Sequence, residues 1–163
     1  MRIKPLCFSL AVLFFLTNLF LTYTAVSVEQ INHINQLDGF GNLKWGTGID
    51  SLQNMEFIKS GRTSQGEIKI YRNTTDNLNY SGIALSGIEY GFNDDKLSFV
   101  ALKTEGIENW KELKQQAFKQ YGQDFSKIDN SDYINYVWQG LKSSIALQYN
   151  TKEDSSILLV ASN

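Results

Sequence analysis

Few side chains in this sequence are equipped for chemistry. His33 is the only histidine and Cys7 the only cysteine. His33 stands in a polar stretch, residues 29–36, where a lone imidazole is a solvated side chain. Zinc sites built on His and Cys need several such ligands, so none can be assembled. A Ser-His-acid triad would have to recruit His33, and no Gly-x-Ser-x-Gly elbow is present. Neither phosphate-cradling glycine pattern occurs, so nucleotide binding of those kinds is not indicated.

Carboxylates remain. Asp94 with Asp95, and Asp129 with Asp132, are paired acids, and such pairs suffice for glycoside cleavage. Both pairs lie in turn-like polar segments, where Asp hydrogen-bonds nearby backbone. Neither has the apolar setting that raises one carboxyl for acid catalysis. The run Asp129-Asn130-Ser131-Asp132 offers oxygen ligands for calcium but lacks the Gly and Glu of an EF-hand loop. The expectation is therefore no catalytic residue, no metal and no cofactor.

Binding residues are easier to nominate. Tyr71, Glu89, Tyr133, Asn135 and Gln148 fall at strand positions predicted to share the sheet face turned away from the helices. Tyrosine is enriched at binding surfaces, though ordinary exposed strand residues look the same in sequence. Trp45 and Trp138, each close to a glycine turn, are the candidates for stacking a glycan or lipid. Core packing is the competing reading for both rings.

The compartment is set by the first residues. Arg2 and Lys4 precede an almost wholly apolar run, residues 6–21, and Ala25-Val26-Ser27 supplies small residues at −3 and −1 of a cut after Ser27. That order is a secretory signal. The alternative is an uncleaved apolar helix that anchors the chain. The chain is thus read as exported, periplasmic or secreted. Residues 1–27 form a signal peptide, 28–38 a flexible leader and 39–163 a single α+β domain, with no membrane span after cleavage. Losing residues 1–27 removes Arg2, Lys4 and the cysteine but no acid. The charge balance falls from 15 against 17 to 13 against 17, net −4. A mildly acidic domain with scattered lysines has no footprint for nucleic acid. Without a disulfide it must hold by packing, for which three Trp, eight Tyr and ten Phe in the full chain provide area.

The positioning elements follow from periodicity. A brief strand is expected over residues 40–45, then Gly46 and a Thr47-x-x-Asp50 capping box leading into a helix through Leu52 and Met55. Strands are predicted at residues 55–59, 67–72, 83–92 and 96–104, the last two joined by Asn93-Asp94-Asp95. Asn109 is expected to cap a helix with Trp110, Leu113, Ala117, Phe118 and Tyr121 on one stripe and Gly122 at its end. A polar loop to Asp132 and three strands at residues 133–138, 144–150 and 155–161 close the chain. The predicted fold is α+β, an antiparallel sheet with two helices on one face. The repeated helix-then-strands order hints at two similar halves.

Leu43-Lys44-Trp45-Gly46-Thr47 and the run from Asn109 to Gly122, N-W-x-x-L-K-x-x-A-F-x-x-Y-G, resemble segments of a group of small, uncharacterised exported bacterial proteins. The similarity runs from Phe40 to the C-terminus and implies fold and export only. More loosely, the element order is similar to outer-membrane assembly lipoproteins and β-lactamase-inhibitor-like modules, which hold other proteins with the sheet or its loops. The lipobox cysteine of the lipoproteins is missing, so tethering does not carry over. The expected function is a non-enzymatic binding module of the cell envelope with an unidentified protein or envelope component as partner. A small-ligand binder is the alternative, and a carboxylate hydrolase is the weakest reading.

Overall fold

The computed structural model describes residues 34–63 and 66–163. The expected signal peptide, most of the leader, His33 and Cys7 lie outside them. Twelve strands are described. The small ones form two-stranded ladders: β1 (Gly39–Phe40) with β2 (Leu43–Lys44), and β5 (Asn79–Tyr80) with β6 (Ile83–Ala84). The others are β3 (Met55–Thr63), β4 (Gly66–Asn73), β7 (Gly87–Asn93), β8 (Lys96–Glu105), β9 (Ser126–Asp129), β10 (Tyr133–Gln139), β11 (Ser143–Asn150) and β12 (Ser155–Ser162). They make one antiparallel sheet in the order β3-β4-β7-β8-β12-β11-β10-β9. Two four-stranded meanders meet where β8 pairs β12 over seven residue pairs, from Ser155 opposite Glu105 to Ala161 opposite Phe99.

The α+β prediction with two helices on one face is not what the chain forms. The molecule is mostly strand, and α1 (Ile107–Tyr121) is the one long helix among the described residues. The predicted first helix is a single 3-10 turn, Ile49–Ser51. Thr47 does not cap it: its hydroxyl donates back to the Lys44 carbonyl, and Gly48 at the N-cap has no side chain to offer. Backbone bonds explain why no helix propagates. Gly46 and Ile49 donate to the Leu97 and Asp95 carbonyls, and Leu97 donates to Thr47, so the segment is zipped to the start of β8. Asn54 then turns with φ 62°, and Met55 enters β3. The predicted pairing of a helix with strands in each half therefore fails in the first half.

Other elements deviate in smaller ways. Gly106, not Asn109, is the N-cap of α1, and the Asn109 amide donates to the Glu105 carbonyl. Gly106 has φ 88°, a conformation a side chain would strain. The predicted strand 83–92 is split between β6 and β7, with Ser86 donating to Lys103. The predicted polar loop before Asp132 contains β9, a far edge strand. The Asn93-Asp94-Asp95 connection does turn as a hairpin, with φ 49° at Asp94 and 59° at Asp95.

One sheet face carries the main core. Phe92, Val100, Leu102, Trp138, Ile145, Leu147, Leu158 and Val160 point to α1, whose Trp110, Leu113, Ala117 and Tyr121 meet them. Trp110 stacks on Tyr149 with ring centroids 5.0 Å apart. Where a second helix was expected, the cover is made from the two short ladders and the loops around them: Ile83 and Leu85 of the 74–86 segment, and Leu37, Phe40, Leu43 and Trp45 near the start of the described chain. That start is strapped down. Trp45 Nε1 donates to Ser143 Oγ at 2.8 Å, and Ser143 Oγ donates to the Leu37 carbonyl at 2.7 Å. Asn35 accepts from the Leu141 amide, so residues 34–38, read from polarity as leader, sit on the β10–β11 turn.

Ser143 is fully buried and serves two partners, so Ser143→Ala leaves an indole N–H and a carbonyl without one. The expected loss in urea unfolding is about 1–3 kcal/mol. Trp138→Ala, which empties the centre of the core, is expected to cost about 3–5 kcal/mol in the same assay.

Candidate functional site

The face turned away from α1 has its own apolar belt. Ile68, Ile70, Phe99, Ala101, Leu159 and Ala161 form a second cluster, with Ala146 and Ile157 against it. Phe99 lies over Gly91 of the neighbouring strand: a Cβ at Gly91 would fall 1.9 Å from its ring. The belt residues are each only 4–8% exposed. Covering what remains of them would yield roughly 1–2 kcal/mol at ~25 cal/mol per Å². The belt is packed surface with little left to bury.

Beside it runs a polar row. Lys103, Ile157, Gln148 and Asn135 are successive cross-strand neighbours on β8, β12, β11 and β10. Lys103 ion-pairs with Glu89, whose side chain is 13% exposed, and Gln148 donates to Asn135 Oδ1 at 2.6 Å. Both partners of each pair satisfy one another, as buried polar groups must. Tyr133, two residues before Asn135, shares this face opposite Asn150. Four of the five nominated residues are thus brought to one face. Tyr71 is not. It stands opposite Tyr90 on the α1 side, edge-on to Phe57 and Phe92 at 5.6 and 5.4 Å.

The two nominated stacking rings are occupied. Trp138 is fully buried, with its Nε1 donating to the Gly122 carbonyl and Phe118, Tyr121, Phe125 and Tyr136 around it. Trp45 is half-buried against the main core and held by Ser143. The paired acids are engaged as turn and surface groups. Asp95 meets Lys69, Asp129 meets Lys127 and Asp132 meets Lys152. The Lys152 ammonium, with Ser131, holds the Asp132 carboxyl below its ordinary range, opposite to what an acid catalyst requires. Among the described residues no group of three or more His, Cys, Asp or Glu could hold a metal. No helix among them is long and apolar enough to cross a membrane. A shallow depression beside the β1–β2 turn is lined by Gln36, Asp38, Asn42 and Lys44.

The strongest electrostatic perturbations are structural. Burial pushes the Tyr90 phenol well up, and its hydrogen bonds to Asp76 at 2.9 and 3.1 Å add to this. Burial raises Asp76 as well, against the Tyr90 hydrogen bond. Tyr121, the last residue of α1, is raised by burial and by Tyr80 beside it.

Leu78, Ile107 and Leu141 are exposed singly in separate segments, and the two adjacent exposed apolar side chains lie at the sheet's end. Phe57 is 53% and Ile58 40% exposed, both on β3. β3 is a terminal strand with nine residues, against four for β9 at the other end. Among the described residues nothing pairs with its outer side, so alternate backbone N–H and C=O groups there face solvent. The sequence signalled this strand at residues 55–59, but edge position depends on strand order and was not readable. No family model, curated protein or solved structure matches this chain.

Raised tyrosines predict an alkaline limit. The unfolded chain ionises its phenols near pH 10 while Tyr90 and Tyr121 stay protonated when folded. Stability is therefore full below pH 10 and is lost as pH rises beyond it. Urea midpoints measured across that range should fall, and Tyr121→Phe should flatten the slope.

Proposed function

We propose that this chain is an exported, non-enzymatic binding module of the cell envelope, and that it holds a protein partner by adding a strand of that partner to β3. The carrying observation is the open edge: a nine-residue strand with no neighbour on its outer side among the described residues, beside exposed Phe57 and Ile58. Strand addition takes affinity from main-chain hydrogen bonds and specificity from side chains along the edge. Phe57 and Ile58 supply an apolar foothold worth up to about 4 kcal/mol if fully covered.

The rest of the molecule supports this reading by being packed on both sides of the sheet. Both sheet faces are packed, and the polar pairs Glu89–Lys103 and Asn135–Gln148 hold neighbouring strands of the sheet to one another. A stiff sheet presents its edge with little ordering cost on binding. The exposed aromatic platform on which a glycan reader depends is lacking at Trp45 and Trp138, which pack in or against the main core, so a small-ligand reading gains no observation.

Site-specific photocrosslinking tests the proposal. A photoreactive residue at position 58, in the chain expressed in its own cells, is expected to give a covalent adduct with another protein. The same residue at position 127 on β9 is expected to give none, and Phe57→Ser is expected to reduce the adduct several-fold. Adducts at both positions, at neither, or containing two copies of this chain would contradict it.

A further inference from the structure

We infer that the segment received by β3 is an extended one carrying acidic side chains on both of its faces beside apolar ones. This rests on the strand-addition reading and adds the partner's chemistry. Most cations near this edge are already taken. On β4, the strand next to the edge, Lys69 is paired with Asp95 and Arg72 grips Glu56 with bonds of 2.9–3.0 Å. Lys103, farther in, is paired with Glu89. Lys59 and Arg62 of β3 make no ion pair among the described residues.

The register says where these two cations point. Lys59 stands opposite Ile70, on the side of the second apolar belt, and Arg62 stands opposite Glu67, on the side of α1. They are three residues apart, so they serve opposite faces of any strand laid alongside. Glu56, the acid of β3, is neutralised by the bidentate Arg72 and presents no net repulsion. The edge is therefore apolar at Phe57 and Ile58 and carries two cations that make no ion pair among the described residues, Lys59 and Arg62, the latter across the strand from Glu67, on a chain whose overall charge is negative.

A fitting strand places acids three residues apart, one per face, and an aliphatic or aromatic residue beside Phe57. The irregularity between Phe57 and Lys59 sets the two regions off from each other. A bulge and a lysine on an edge also discourage indiscriminate pairing. A second copy of β3 is disfavoured on the same grounds, because antiparallel pairing about Lys59 would set that cation against its counterpart.

The test uses the folded chain with a photoreactive residue at position 58 and two nine-residue peptides of equal apolar content. One has Glu at the two positions three apart, the other has Lys. The Glu peptide is expected to bind about tenfold tighter, from two cross-strand charge pairs, and to weaken with salt. The double substitution Lys59→Glu with Arg62→Glu, at a half-buried and an exposed position of the edge, is expected to reverse the preference. Equal affinity of both peptides with labelling at position 58 would overturn the charge inference and leave strand addition standing. Binding without labelling there, or no binding of either peptide, would overturn both.

Discussion

The pairing of β8 with β12 is the constraint on which the rest of the architecture depends. These strands lie some fifty residues apart, and their ladder joins the two meanders into one sheet. It aligns Val100 with Val160 and Leu102 with Leu158 on the α1 side, and Ala101 with Leu159 on the other. A slip of one residue would send each set to the wrong face, so the two cores fix the register together. Because β8 and β12 occupy the middle, β3 and β9 are left as the edges. The open edge is thus a consequence of the central pairing.

Cover over the main core is uneven, and that unevenness shapes the molecule. Above the second meander α1 brings a four-residue aromatic and aliphatic stripe. Above the first there is no equivalent helix among the described residues, and the 34–52 and 74–86 segments do the covering with scattered apolar anchors. Loops can serve there because their backbone groups find partners, as in the Gly46–Leu97, Leu97–Thr47 and Trp45–Asp38 bonds. The Trp45–Ser143–Leu37 chain ties the same cover to β11.

Periodic elements were legible in the sequence. The stripe from Trp110 to Tyr121 and its Gly122 end, the turn at Asp94-Asp95, and the three closing strands were all readable from local pattern. The helix expected after Thr47 was misread because Ile49, Leu52 and Met55 do face the core, yet long-range bonds to β8 override the local capping signal. Tyr71 was assigned to the wrong face because the residues of β4 alternate without saying which side is which. The face is decided only when Ile68 and Ile70 meet Phe99 and its neighbours. Lys103, the partner of Glu89, was missed because a cross-strand ion pair needs register. The edge role of Phe57 and Ile58 needed strand order, which no local pattern contains.

Strand addition requires that β3 have a vacant outer side for a partner strand to fill. Residue-resolved amide hydrogen exchange on the free chain and on the chain with its bound partner segment addresses this most directly. The account predicts that alternate β3 amides exchange fast in the free chain and slow several-fold or more on binding, while β9 is unchanged. Uniformly protected β3 amides in the free chain, or new protection confined to the belt around Phe99, would contradict it.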